Sequence, residues 1–154
     1  MLDTLLGPGT VEWLGVSYKT ILSTDDSGGS MSITDSVSPP RSGPPRHIHH
    51  EADETFVVLT GDCEFWLDGQ SFVRGPGETA FVPRGKEHTF QVVSDVPCRH
   101  LVILTPGGFE GFFQEMAKGN YRIPEDLPAI EDCGRRYHMT LTGPPLGVAG
   151  EGRP

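Results

Sequence analysis

His47, His49 and His50 fall within four positions, and Glu54 follows four residues later. In an extended backbone successive side chains alternate faces, so His47 and His49 point one way while Ile48 and His50 point the other. Two imidazoles then converge on one point, and Glu54, at the head of the apolar run that ends at Gly61, is the nearest carboxylate able to join them. A further donor has to come from a distant part of the chain, and His88 closes the stretch Gly77-Glu-Thr-Ala-Phe-Val-Pro-Arg-Gly-Lys-Glu-His88. Imidazole nitrogens with one carboxylate suit a divalent transition metal, whether Fe, Ni, Mn, Co, Cu or Zn. The chain shows no nucleophile beside a base, no phosphate-cradling glycine loop and no dinucleotide fingerprint, and Gly75-Pro-Gly77 is a turn. Any chemistry is therefore expected to run through the metal.

The elements that must position these residues are strands. Val11–Tyr18, Thr20–Leu22 and Met31–Val37 carry β-branched and aromatic residues at strand density, separated by the loop Asp25-Asp-Ser-Gly-Gly-Ser. Met31, Ile33 and Asp35 are expected to share one face. Ser38-Pro-Pro-Arg-Ser-Gly-Pro-Pro-Arg46 is too rich in proline to pair centrally and reads as a rim loop that delivers the chain to His47. A strand from Glu54, a turn at Thr60-Gly-Asp and a strand at Cys63–Leu67 follow. Asp68-Gly69 is the strongest hairpin signal, because this pair accepts the positive φ of a type I′ turn. Ser71–Arg74, Glu78–Pro83, His88–Val93 and Arg99–Thr105 complete about eight strands at regular spacing, which a jelly roll requires. The period then changes: Phe109, Phe112, Phe113 and Met116 lie on one face of a short helix ending at Gly119-Asn120, a stripe expected to serve packing. A second helix is expected from Pro124 to about Tyr137, with acidic residues in its first turn, before a fraying tail over 143–154.

His47, His49, Glu54 and Gly61 spell H-x-H-x4-E-x6-G, and Gly77, Pro83, Gly85 and His88 spell G-x5-P-x-G-x2-H, with residues 62–76 between. These two stretches resemble the paired signature motifs of the cupin superfamily, and their compact spacing is similar to that of small bacterial single-domain cupins. Arg41 stands where the first motif usually opens on glycine, and Val92 where the second often ends on asparagine. Neither position is a usual ligand. The resemblance implies an all-β double-stranded β-helix, a jelly-roll barrel of about 30–106 within a single domain 1–154, with short C-terminal helices over about 108–138. It further implies one metal ion on His47, His49, Glu54 and His88, with Glu54 as ligand or as free base, and a homodimer. Phe56, Phe65, Phe90, His100 and Ile103 are candidates to line a substrate pocket, and Phe56 and Phe90 share parity with Glu54 and His88.

The formal charge of −9 argues against nucleic acid and anionic membranes, which bind through clustered Lys and Arg. No apolar run approaches the ~20 residues of a membrane span, and the N-terminus lacks the pattern of a signal peptide. Cys63, Cys98 and Cys133 lack C-x-x-C spacing and fit reduced thiols in a cytoplasmic protein. His50, His138, Glu51, Asp53, Arg46, Arg84 and Lys86 read as structural or solvated groups. The wider similarity, through Pro-Pro-Arg-His-Ile-His-His and Gly107-Gly-Phe-Glu-Gly-Phe-Phe, is to short cupins related to quercetinase. It implies a dioxygenase acting on an aromatic or enolic small molecule: the substrate hydroxyl meets the metal, a carboxylate takes its proton and oxygen attacks the activated ring. Cupins similar to polyketide cyclases use the same histidines without oxygen, so a redox-neutral cyclase or isomerase is the alternative. A binding module without turnover is the third.

Overall fold

The computed structural model describes residues 6–147. Strands β1 (Val11–Trp13), β2 (Val16–Leu22), β3 (Ser32–Ser38), β4 (Pro45–His49), β5 (Asp53–Thr60), β6 (Cys63–Leu67), β7 (Gln70–Arg74), β8 (Thr79–Val82), β9 (His88–Val92) and β10 (Cys98–Thr105) precede helices α1 (Glu110–Gly119) and α2 (Leu127–Arg136) and a last strand, β11 (Met139–Pro145). They form two antiparallel sheets: β1-β2-β3-β10-β5-β8, and β11-β4-β9-β6-β7. Apolar residues on the facing sides build the expected jelly-roll core, with Phe56, Val58, Val102 and Leu104 from one sheet against Phe65 and Val92 from the other.

Alternation decides what enters this core. On β5, Glu54, Phe56 and Val58 are buried while Asp53, Thr55 and Val57 are partly open. On β10 the buried set is Cys98, His100, Val102 and Leu104. Ile103, expected in the pocket, has the opposite parity and pairs with Thr55 and Ile33 on the outer side. Strand β3 is unusual because Ser32, Thr34, Ser36 and Ser38 are all buried. Small hydroxyls thus replace bulky apolar residues on one wall of the barrel.

Turn chemistry fixes the register. Asp68 and Gly69 adopt φ 49° and 91°, joining β6 to β7 as the sequence predicts. Gly43 passes so close to β9 that an added Cβ would overlap the Phe90 carbonyl oxygen, which explains why this loop position carries glycine. Arg41, in the place of the motif's glycine, takes the left-handed φ of 71° itself, and its guanidinium binds Asp95 at 3.0 Å.

The C-terminal segment differs from expectation in three ways. The second helix starts at Leu127, so Glu125 and Asp126 lie before it, and its first turn holds no acidic residue. Residues 139–145, including the Gly143-Pro-Pro145 stretch expected to fray, form β11 against β4, with Pro145 opposite Pro45. Proline is tolerated there because β11 is an edge strand whose outer N–H groups have no ladder to serve. The remainder of the expected tail, 148–154, lies outside the described residues. Helix α1 has the predicted extent, with Asn120 in the left-handed conformation at its end. No helix among the described residues is long and apolar enough to cross a membrane.

The three cysteines are free and buried. Cys63 and Cys98, on opposite sheets, bring their sulfurs to 2.9 Å.

Candidate metal centre

His47, His49, Glu54 and His88 each offer a ligand atom within 4.8 Å of the others. Strand pairing creates this cluster. His47 and His49 come from β4, His88 is the register partner of His47 on the neighbouring β9, and Glu54 reaches across from β5 in the other sheet. Two ties hold the motif loops together: the Gly85 N–H donates to the His49 carbonyl at 2.7 Å, and Asp53 accepts from both the backbone and the guanidinium of Arg84 at 2.9 and 3.1 Å. Asp53 and Arg84, expected to be merely solvated, thus join the two loops that carry the ligands.

Backbone carbonyls orient the rings. His47 Nδ1 lies 2.7 Å from the Pro45 oxygen, and His88 Nδ1 lies 2.9 Å from the Lys86 oxygen. A neutral ring that donates from Nδ1 presents a bare Nε2 to the cluster, the orientation usual for metal-binding histidines. His49 Nε2 is buried without a hydrogen bond and stands 3.5 Å from Glu54 Oε1. An orphaned nitrogen beside a buried carboxylate fits a cation-binding role, as does the chemistry of three imidazoles and one carboxylate. The cluster is thus equipped to hold a metal ion.

The electrostatics agree in direction. Burial keeps His49 neutral, lowering it to about 4 against the pull of Glu54, and burial with the neighbouring rings of His88 and His49 lowers His47 well below its usual range. Burial alone would raise Glu54, but the surrounding imidazoles outweigh it and hold the carboxyl at about 2. His88 is desolvated too, yet its hydrogen bond to Glu54 raises it above the ordinary value.

The cluster opens on a cavity of about 300 Å³ whose walls include Phe56, Phe90, Val102, His100 and Phe113. Such a volume and an apolar lining suit a small organic ligand. Of the expected pocket residues, Phe56, Phe90 and His100 line the cavity. Phe65 packs behind them, 5.0 Å from the Phe56 ring, and Val102 takes the place expected for Ile103. The stripe on α1, expected to serve packing, also faces the cavity through Phe109, Phe112 and Phe113. Phe109 meets the His49 ring edge to face at 4.4 Å, and Phe113 stacks on Tyr18 at 4.3 Å. The signal was present as four large residues on one helical face, directly after the last strand of the barrel.

The remaining candidates lie outside the cluster. His50 is exposed and bonds Thr140 at 2.8 Å, as its parity predicts, and His138 pairs with Glu51 at 3.2 Å. Arg46, expected as a solubilising rim charge, is buried, donates to the Pro144 carbonyl at 2.8 Å and covers the Trp66 ring.

Residues 36–104 match the cupin domain family. The quercetin 2,3-dioxygenase of Bacillus subtilis (strain 168) is 27% identical over 99 residues, which cover 64% of this chain and 29% of that protein. The chain therefore spans less than a third of that relative's length. The solved structure of the polyketide cyclase RemF from Streptomyces resistomycificus superposes with a TM-score of 0.53 and 29% identity, over 64% of this chain and 68% of RemF. The cupin domain of Schizosaccharomyces pombe Cnp3 superposes with a TM-score of 0.59 at 13% identity, over 78% of this chain and 81% of that one, a likeness of fold.

Proposed function

Residues 36–104 of this chain are a cupin domain, and on that footing we propose that the protein is a metal-dependent dioxygenase for a flat aromatic or enolic small molecule. The observation that carries this reading is the His47, His49, Glu54, His88 cluster, largely buried, whose His47, His49 and Glu54 open onto an aromatic cavity. The four side chains would hold one divalent transition metal, which when bound polarises a substrate oxygen and, if redox-active, supports reaction with dioxygen.

The protein's own residues do the rest. Phe56 and Phe90 wall the cavity beside Glu54 and His88 and favour a planar, uncharged ligand over water. Phe109 covers His49 and keeps solvent from the cluster. Glu54, ionised at neutral pH, would take a proton from a substrate hydroxyl. The similarity to the Bacillus quercetin 2,3-dioxygenase supports this reading.

The likeness to RemF favours a second reading, a redox-neutral cyclase in which Glu54 removes a proton from carbon between two ketones. The ligand set and cavity serve both. Oxygen uptake by metal-replete protein given flavonols or other polyphenols separates them. The dioxygenase reading predicts oxygen loss in step with substrate loss and no turnover under anaerobic conditions. Undiminished anaerobic turnover with zinc bound transfers the protein to the cyclase reading.

A further inference from the structure

The cavity contains a second polar group besides the metal cluster. His100 is 3% exposed, lines the cavity and contacts the rings of Phe56 and Phe90 at 5.8 and 5.2 Å. Ser36 Oγ lies 3.2 Å from its Nδ1 and 3.2 Å from its backbone oxygen, and Ser38 Oγ lies 3.4 Å from its Nε2. When Ser36 donates to the carbonyl, its lone pairs receive the Nδ1 hydrogen, leaving Nε2 as an acceptor toward Ser38. At 3.4 Å that last contact is long, so Nε2 and the Ser38 hydroxyl retain hydrogen-bonding capacity. Tyr18, the cross-strand partner of Ser36, lines the same cavity, and its hydroxyl makes no hydrogen bond among the described residues.

The register sets the backbone spacing between the two poles. On β10 the partner of Glu54 is Leu104, whereas the partner of Val58 is His100. Four strand positions, roughly 13 Å of backbone at the usual rise, lie between those two pairs. The intervening row is apolar, with Phe56 opposite Val102.

We infer that the Ser36, Ser38 and His100 group recognises an uncharged hydroxyl or carbonyl at the end of the substrate remote from the metal cluster. The substrate class is thereby narrowed to flat molecules a few aromatic rings long with a polar group at each end. This rests on the cavity being a substrate site. The pole carries no fixed charge, because burial keeps His100 neutral, down to about 4, and the Glu54 carboxylate in the same cavity disfavours anions. A buried donor and acceptor pair of this kind selects a matching hydroxyl over its absence.

The test uses zinc-loaded full-length protein labelled with 15N histidine. It is titrated with two probes: the parent flavonol with no other hydroxyl, and the flavonol carrying one more hydroxyl on its distal ring. The hydroxylated probe is expected to bind about tenfold more tightly and to shift the His100 ring resonances, a difference that should fall to within about twofold in a Ser36→Ala/Ser38→Ala variant. Shifts at His47, His49 and His88 without any at His100 overturn this inference and leave the metal-site reading intact. A His100 shift alone upholds it and removes the metal-site reading. Equal affinity of the two probes for the wild type, an unchanged preference in the double variant, or the absence of any shift overturns it.

Discussion

His88 lies between two oxygens: its Nε2 is 2.8 Å from Glu54 Oε1 and its Nδ1 is 2.9 Å from the Lys86 carbonyl. A neutral imidazole has one N–H, and the carbonyl claims it, so a bare nitrogen would face a carboxylate oxygen. A proton on His88 resolves that conflict, and so does a metal cation shared by both groups. A proton and a metal ion thus compete for the same place between Glu54 and His88.

Separating base from ligand at Glu54 requires a change that removes basicity without removing shape. Glu54→Gln should retain the metal, because three imidazoles remain, yet lose activity by at least about 100-fold, the usual contribution of a positioned base. Turnover assays alongside elemental analysis check this, and unchanged turnover would take Glu54 out of the base role.

His100 makes stability depend on pH. Its folded value of about 4 lies below the unfolded value near 6.5, so the unfolded chain binds more protons between those limits and stability rises with pH across that window. Burial is the dominant cause, and Glu54 and Asp35, the charged groups acting on the ring, pull the other way. As pH falls through the window, His100 should cost about 3 kcal/mol of stability. Urea unfolding at successive pH values should show a shallower dependence in His100→Asn, by up to one proton, and an identical slope would contradict the assignment.

Phe109 joins the helical face to the metal cluster through its edge-to-face contact with His49 and its stack on Phe112 at 5.0 Å. Truncation to alanine removes a nearly buried ring and should cost about 3 kcal/mol, read as a lower urea midpoint. A loss below 0.5 kcal/mol, within the range of ordinary surface substitutions, would mean that α1 does not close the barrel.

Trp13 anchors the loop between the helices, since its indole N–H donates to the Tyr121 carbonyl at 2.8 Å and its ring meets Phe112 at 5.8 Å. Trp13→Phe should cost about 2 kcal/mol, lowering Tm by roughly 5 °C. An unchanged melting curve would show that this bond has no net worth.

Much of the centre was legible in the sequence because parity is a strong constraint. A two-residue spacing placed His47 and His49 together and put His50 outside, and the same rule paired Phe56 with Glu54 and Phe90 with His88. Parity failed where composition gave it nothing to work with. Residues 101–104 are all apolar, so only the register against β5 reveals that Val102 faces inward and Ile103 outward. On β3 the inward face consists of serines and threonine, which look like solvent-facing residues until the cavity that Ser36 and Ser38 border is known. Gly143-Pro-Pro145 resembles a tail because its pairing partner, β4, lies almost a hundred residues earlier. The aromatic stripe of α1 was visible, but where the helix docks is decided by Trp13 and Tyr18, far away in sequence.

His47, His49, Glu54 and His88 are together equipped to make one metal site. Elemental analysis of protein purified without added metal, compared with His49→Ala prepared identically, tests it most directly. About one transition-metal ion per chain is expected in the wild type and almost none in the variant, with both folded. A folded wild type that stays metal-free even after metal is supplied, or a variant holding as much metal as the wild type, would contradict it.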